Sequence, residues 1–378
     1  MALEGSLWRR AADPAPTTAG PSEPLLPTER TGGTHGPLRP ADSNGVRLPA
    51  GFTSRVVART GEPVAATSYR WHRAPDGGAC FPDGAGWIYV SNSEVRGTGG
   101  ASAIRFAADS SITDAYPILE GTDRNCAGGP TPWGTWLSCE EVSSGQVYET
   151  DPRGQRSAVV RPAMGRFTHE AAAVDPVRPV VYLTEDEPDG CFYRFRPTMW
   201  PDLAKGHLEV LCRQGPDHRL TWRPIRDPSA RGQETRNQVP DALRLDGGEG
   251  AWYGEDGCWF TTKGDNRVWR YDAARARLNV LFDGASANAQ MDTVDNITAS
   301  QAGEVFVAED GPDMRISTIV AGKQVAPFLT ITGHDDSEVT GPAFSPDGTR
   351  LYFCSQRGED GKDEHGITYE VTGPFRSS

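Results

Sequence analysis

A chain of 378 residues with 37% hydrophobic and 24% charged content has room for one large or two average soluble domains. Its 43 glycines and 30 prolines, with few helix formers at helical spacing, exclude a helical bundle and point to many short strands joined by turns. A net charge of −13, with no dense run of basic residues, excludes a nucleic-acid binder and suits a protein that binds cations.

Taken from its start, "MALEGSLWRRAADPAP" has no apolar stretch of signal-peptide length, and no run of about 18 apolar residues follows anywhere. The expectation is a soluble, cytoplasmic chain without membrane contact. Residues 1–48, rich in Pro, Gly, Ser and Thr, cannot build a core and are read as an extended or partly disordered arm. Seven dispersed cysteines without a CxxC pair argue against both a disulfide scaffold and a zinc ribbon.

From residue 49 to 378 the chain reads as one domain in which a single pattern recurs: a small or apolar strand, a turn, then an apolar strand ending in polar or acidic residues. Six copies align, "GGACFPDGAGWIYVSNSE" (77–94), "CAGGPTPWGTWLSCEE" (126–141), "HEAAAVDPVRPVVYLTEDE" (169–187), "EGAWYGEDGCWFTTKGD" (249–265), "NITASQAGEVFVAEDG" (296–311) and "TGPAFSPDGTRLYFCSQ" (340–356). Anchoring the turns at Pro82, Pro132, Pro176, Glu255, Gln301 and Pro346 gives spacings of 50, 44, 79, 46 and 45 residues. A repeat of about 40–50 residues carrying a hairpin and further strands predicts an all-β, six-bladed propeller. The long gap makes residues 197–247 an insertion between the third and fourth inner hairpins. "FTSRVVAR" (52–59) and "GITYEVTG" (366–373) are expected to share the last blade and close the ring.

In an antiparallel hairpin the start of the first strand and the end of the second lie together, opposite the turn. Those ends carry Cys126 with Glu140 and Glu141; His169 and Glu170 with Glu185 and Asp186; and Glu249 with Lys263 and Asp265. The last two copies add Asp295 and Asn296 with Glu309 and Asp310, and Glu338 with Gln356. Around a propeller axis they converge on one mouth of the central channel, where so many carboxylates need cations. Oxygen donors suit Ca²⁺ or Mg²⁺, and a thiolate among them suits a more polarising metal such as iron.

The stretches "NCAGGPTPWGTWLSCEE", "GRFTHEAAAVDP", "GGEGAWY", "VDNITAS", "GEVFVAEDG" and "EVTGPAFSPDGTRLYF" together resemble the PhoX-type alkaline phosphatases, over about residues 70–356. The resemblance implies a pair of Fe³⁺ ions bridged by a cysteine thiolate, with Ca²⁺ beside them. By motif matching it implies Cys126 as that thiolate and Glu170, Glu249, Asp295 and Glu338 as carboxylate ligands. Glu140, Glu141, Glu185, Asp186, Glu309 and Asp310 would serve the calcium sites or the layer around them. Cys139 is expected in the blade packing. In the family an arginine that grips phosphate stands two residues before the glutamate matching Glu249; here that position is Gly247, so Arg244, Lys263 or Arg166 is expected to replace it.

The implied activity is hydrolysis of phosphate monoesters by a monomer acting on a small-molecule substrate. The metals would neutralise phosphate oxygens, and His169 or Lys263 would stabilise developing charge. Two other readings stand beside it: a calcium-dependent lactonase or esterase, favoured by the missing arginine, and a non-catalytic, metal-stabilised propeller that binds a ligand.

Overall fold

Each predicted hairpin forms the inner half of a sheet in the computed structural model, which describes residues 35–214, 219–254, 257–287, 289–320 and 324–376. The innermost strands are Pro75–Asp83, Asn125–Pro130, His169–Asp175, Gly248–Gly254, Val294–Ala299 and Val339–Phe344. Each touches the next, and the sixth touches the first, so six antiparallel sheets stand as blades round a central channel. The fold is the expected six-bladed propeller. Glu255, used as a turn anchor, lies outside the described residues, as do residues 1–34 of the expected arm.

The second strand of a blade is mostly buried, with an apolar middle, because both its faces are covered by neighbouring blades. In Gly86–Ser93, Trp87 and Tyr89 point one way and pack with Ala343 and Tyr352 of blade 6. Ile88 and Val90 point the other way and pack near Trp136 of blade 2. Every side chain in this run is buried, and each such large residue contributes roughly 1.5–3 kcal/mol.

The ring closes as anticipated: Thr53–Arg59 pairs with Ile367–Thr372 and becomes the outer strand of blade 6. Just before it, Val46–Arg47 adds a fifth strand to blade 5 through Gln324–Ile331, and Val46 and Leu48 are buried there. The insertion lengthens blade 3, supplying strands Asp202–Gln214 and Arg219–Pro224 outside Phe192–Met199. The chain then returns along the blade, and its Arg236 meets Glu185, Glu187 and Asp189. Among the described residues no helix is long and apolar enough to cross a membrane.

Candidate metal centre

The site is built by one local irregularity repeated round the ring. Near its start each inner strand carries a β-bulge, after Pro75, Asn125, His169, Gly248, Val294 and Thr340. A bulge leaves residues unpaired and re-aims a side chain. In blades 1 to 5 the first residue past the last paired one, here called the bulge position, is Asp76, Cys126, Glu170, Glu249 or Asp295; in blade 6 Thr340 stands at the same distance from the exit residue's partner but still pairs with Cys354, so the bulge begins one residue later.

Two further positions complete the motif. Where the second strand leaves the sheet, the exit residue is Glu94, Glu141, Asp186, Lys263, Asp310 or Gln356. Its backbone N–H donates 2.8–3.1 Å to the carbonyl of an approach residue two places before the bulge position: Ala74, Arg124, Thr168, Gly247, Thr293 or Glu338. This clamp, present in all six blades, fixes both chain ends at the mouth. The next inner-strand residue is small where inner strands nearly touch; a Cβ on Gly77 would lie 2.5 Å from Ala127 Cα, and one on Gly250 2.6 Å from Asn296 Cα.

Donor atoms at these positions form a continuous run. Asp76, Glu94 and Cys126 lie within 4.8 Å of one another; so do Cys126, Glu141 and Glu170; Glu170, Glu249 and Asp295; and Asp295, Asp310 and Glu338. Consecutive groups share a member, so the run crosses from blade 1 to blade 6 through the thiol. Asp186, the exit residue of blade 3, adds a further carboxylate close enough to Glu141 to help raise its carboxyl. Among the described residues, nine carboxylates therefore face three cationic side chains.

Arg124 puts Nη2 2.6 Å from Glu94 and 3.5 Å from Glu141. Arg357 puts Nη1 2.8 Å from Glu338. Lys263 Nζ lies 3.1 Å from Glu249, 3.4 Å from Asp295 and 3.1 Å from Asp310. Gln356 Nε2 donates to Asp76 and to Glu94. Glu170 has no such partner: fully buried, it has Oε1 3.4 Å from Cys126 Sγ, and Oε2 is without a hydrogen bond.

Burial and mutual repulsion raise the proton affinity of several of these groups. Burial first, then Glu94, pushes the Glu141 carboxyl up to about 9, against the opposing pull of Arg124. Burial, opposed by Lys263, leaves Asp295 at about 6. Burial and neighbouring carboxylates hold Glu170 and Glu249 well above the usual range, and burial with Asp76 and Glu170 raises the Cys126 thiol. A multivalent cation that binds carboxyls and a thiol with raised proton affinity displaces their protons. The orphaned Glu170 oxygen, the sulfur beside it and the surplus of carboxylates fit a metal centre.

Several expected ligands lie elsewhere. Glu140, Glu185 and Glu309 are the last paired residues of their strands, one step before the exit residue, and alternation turns them into their own blades. Glu140 accepts the N–H groups of Asp123 at 3.0 Å and Gln146 at 3.1 Å. Glu185 accepts from Cys191 N at 3.0 Å and Tyr193 Oη at 2.7 Å, and Glu309 from Arg315, Ser317 and Asp292 N. These three organise loops.

His169 is fully buried, stacked on Phe167 with ring centroids 3.6 Å apart and with Nε2 3.1 Å from Gly165 O. Burial lowers it to about 3, so it is a neutral packing residue. Arg244 bonds Asp189 O at 2.9 Å and Asn237, and Arg166 bonds Ser144 O at 3.1 Å, neither beside the run. Cys139 is wholly buried in the core of blades 2 and 3.

Asp76, Glu94, Arg124 and Arg357 escaped the sequence reading. Asp76 had a signal: "PDGG" (75–78) stands in register with "NCAG" (125–128), and starting the first copy at Gly77 cut it off.

A profile described as "Alkaline phosphatase PhoX" matches residues 85–358. PhoX of Pseudomonas fluorescens, solved in complex with vanadate, a transition state analogue, superposes with a TM-score of 0.73 at 18% identity, covering 89% of this chain and 97% of that one. A protein of unknown function from Bacteroides thetaiotaomicron superposes at 0.53 with 9% identity, covering 85% and 76%. Comparison with curated proteins found no match. The profile spans well over half of the sequence, and the chain belongs to the PhoX alkaline phosphatase family.

Proposed function

We propose that this protein is a metal-dependent hydrolase of phosphate monoesters, with its metal centre on Cys126, Glu141 and Glu170 and with Asp76 and Glu94 beside them. The observation that carries the reading is the buried, unpartnered Glu170 oxygen next to the single thiol of the run, in a chain of this family. A thiolate among carboxylates suits iron, and calcium suits the carboxylates beside it on the same side of the mouth, Asp76 and Glu94. When bound, the metals would supply charge neutralisation for phosphate oxygens and a nucleophile at neutral pH.

The chain's own part is binding and orientation. Arg124 has a third of its side chain exposed at the mouth and uses Nε and Nη2 on Glu94, which leaves Nη1 for a phosphate oxygen. Arg124 holds in blade 2 the approach position that Gly247 holds in blade 4, so the grip expected at Gly247 is assigned to a different blade. At Gly247 the backbone is left-handed, φ +69°, and a Cβ would come 3.2 Å from Asp186 Oδ1, which disfavours a longer side chain there. The P. fluorescens vanadate complex supports phosphoryl chemistry in a protein of this architecture.

The test is metal analysis of protein purified without added metal, together with hydrolysis of p-nitrophenyl phosphate and of a simple lactone. Iron with phosphatase activity, both lost in Cys126→Ser, is the expected result. Lactone hydrolysis with calcium alone overturns the reading.

A further inference from the structure

Five of the six exit positions carry an oxygen donor: Glu94, Glu141, Asp186, Asp310 and Gln356. The sixth, in blade 4, carries Lys263. Its ammonium lies 3.1–3.4 Å from carboxylate oxygens of Glu249, Asp295 and Asp310, and two-thirds of the side chain is buried. The backbone clamp at this position, Lys263 N to Gly247 O at 2.8 Å, matches those of the other five blades. The position is therefore conventional and only the side chain differs.

Three carboxylates converging on one point, with Glu338 close behind Asp295 and Asp310, make the all-oxygen donor set that a hard divalent cation takes. We propose that Lys263 is a tethered cation standing in for a metal ion on this side of the mouth, so that exchangeable metal is confined to the thiol side. The inference deepens the metal-centre reading above and rests on it for the thiol side alone. Arg124 and Arg357 do not do the same job: each guanidinium lies on the outer carboxylates Glu94, Glu141 and Glu338, whereas Lys263 reaches the bulge-position residues Glu249 and Asp295. The ammonium supplies one positive charge where Ca²⁺ supplies two, and it cannot exchange.

The test is calcium and iron content per chain of wild type, Lys263→Met and Lys263→Arg, each equilibrated with Ca²⁺ and then desalted, with melting temperature followed with and without Ca²⁺. Lys263→Met is expected to hold about one more calcium per chain than wild type and to gain melting temperature on calcium addition, while Lys263→Arg stays at the wild-type value. Adding Asp310→Asn to Lys263→Met should remove the extra ion. If Lys263→Met folds only in calcium, that dependence is itself the predicted gain. If it does not fold at all, Lys263→Gln carries the same comparison. Equal calcium content in the variants and wild type overturns the tethered-cation inference and leaves the iron site standing. Absence of iron in wild type overturns the metal-centre reading, with the calcium difference still deciding the role of Lys263.

Discussion

Blades 2 and 4 present the same three backbone positions to the mouth and fill them in opposite ways. Blade 2 has Arg124, Cys126 and Glu141; blade 4 has Gly247, Glu249 and Lys263. The bulge and the clamp are shared, so the scaffold delivers three side chains per blade whatever they are. One blade places its cation at the approach position, outside a thiol and a carboxylate that remain open to metal. The other places it at the exit position, among the carboxylates it neutralises.

The sharpest way to break this contrast is to remove the thiol. Cys126→Ser keeps a small polar side chain at the bulge position but loses the soft ligand, and activity on p-nitrophenyl phosphate should fall on the order of 10²–10³-fold with iron content falling in parallel. Serine-variant activity at the wild-type level would mean that the sulfur holds nothing.

A smaller effect is expected at Arg124. Arg124→Ala should raise KM for p-nitrophenyl phosphate about 10- to 100-fold, the loss of one charge-assisted contact, with iron content unchanged. A change confined to stability would return Arg124 to the role of counter-ion for Glu94.

Glu140 and Glu141, adjacent in sequence, separate blade from mouth. Glu140→Gln should retain iron and lower stability by about 1–3 kcal/mol in thermal or urea unfolding, because the buried acceptor of two backbone N–H groups loses its charge. Glu141→Gln should lose iron instead.

The gentlest lever is pH on the metal-free protein. The Glu141 carboxyl, pushed up to about 9 from an ordinary 4.5, binds its proton more tightly folded than unfolded. That contribution is fully present below about pH 4.5 and is lost as pH climbs towards 9, so the melting temperature of chelator-treated protein should fall across this window. Iron-loaded protein should not show the fall, since a bound metal favours the ionised carboxylate.

The ring was legible in the sequence because turn residues punctuate it at blade spacing and each second strand has an apolar middle that ends in polar or acidic residues. The assignment of individual carboxylates was only partly so. In "CEE" and "AEDG" two acids stand side by side and in "TEDE" three, and which one faces the mouth depends on where the strand stops pairing, a register that only the bulge fixes. Glu338 was legible as an acid near "VTGP", yet it enters from the approach position, whereas Thr340 holds the place equivalent to Cys126. Arg124 and Arg357 stood just outside the quoted hairpins, and their distance from the carboxylates is set by the closure of the ring, which no local pattern contains.

The central claim is that sulfur and carboxylate share one metal at Cys126 and Glu170. X-ray absorption at the iron edge of the protein as purified tests it most directly. The account predicts iron with a sulfur scatterer in its first coordination sphere, abolished in Cys126→Ser. Iron surrounded only by oxygen and nitrogen, or a spectrum unchanged by the substitution, would contradict it.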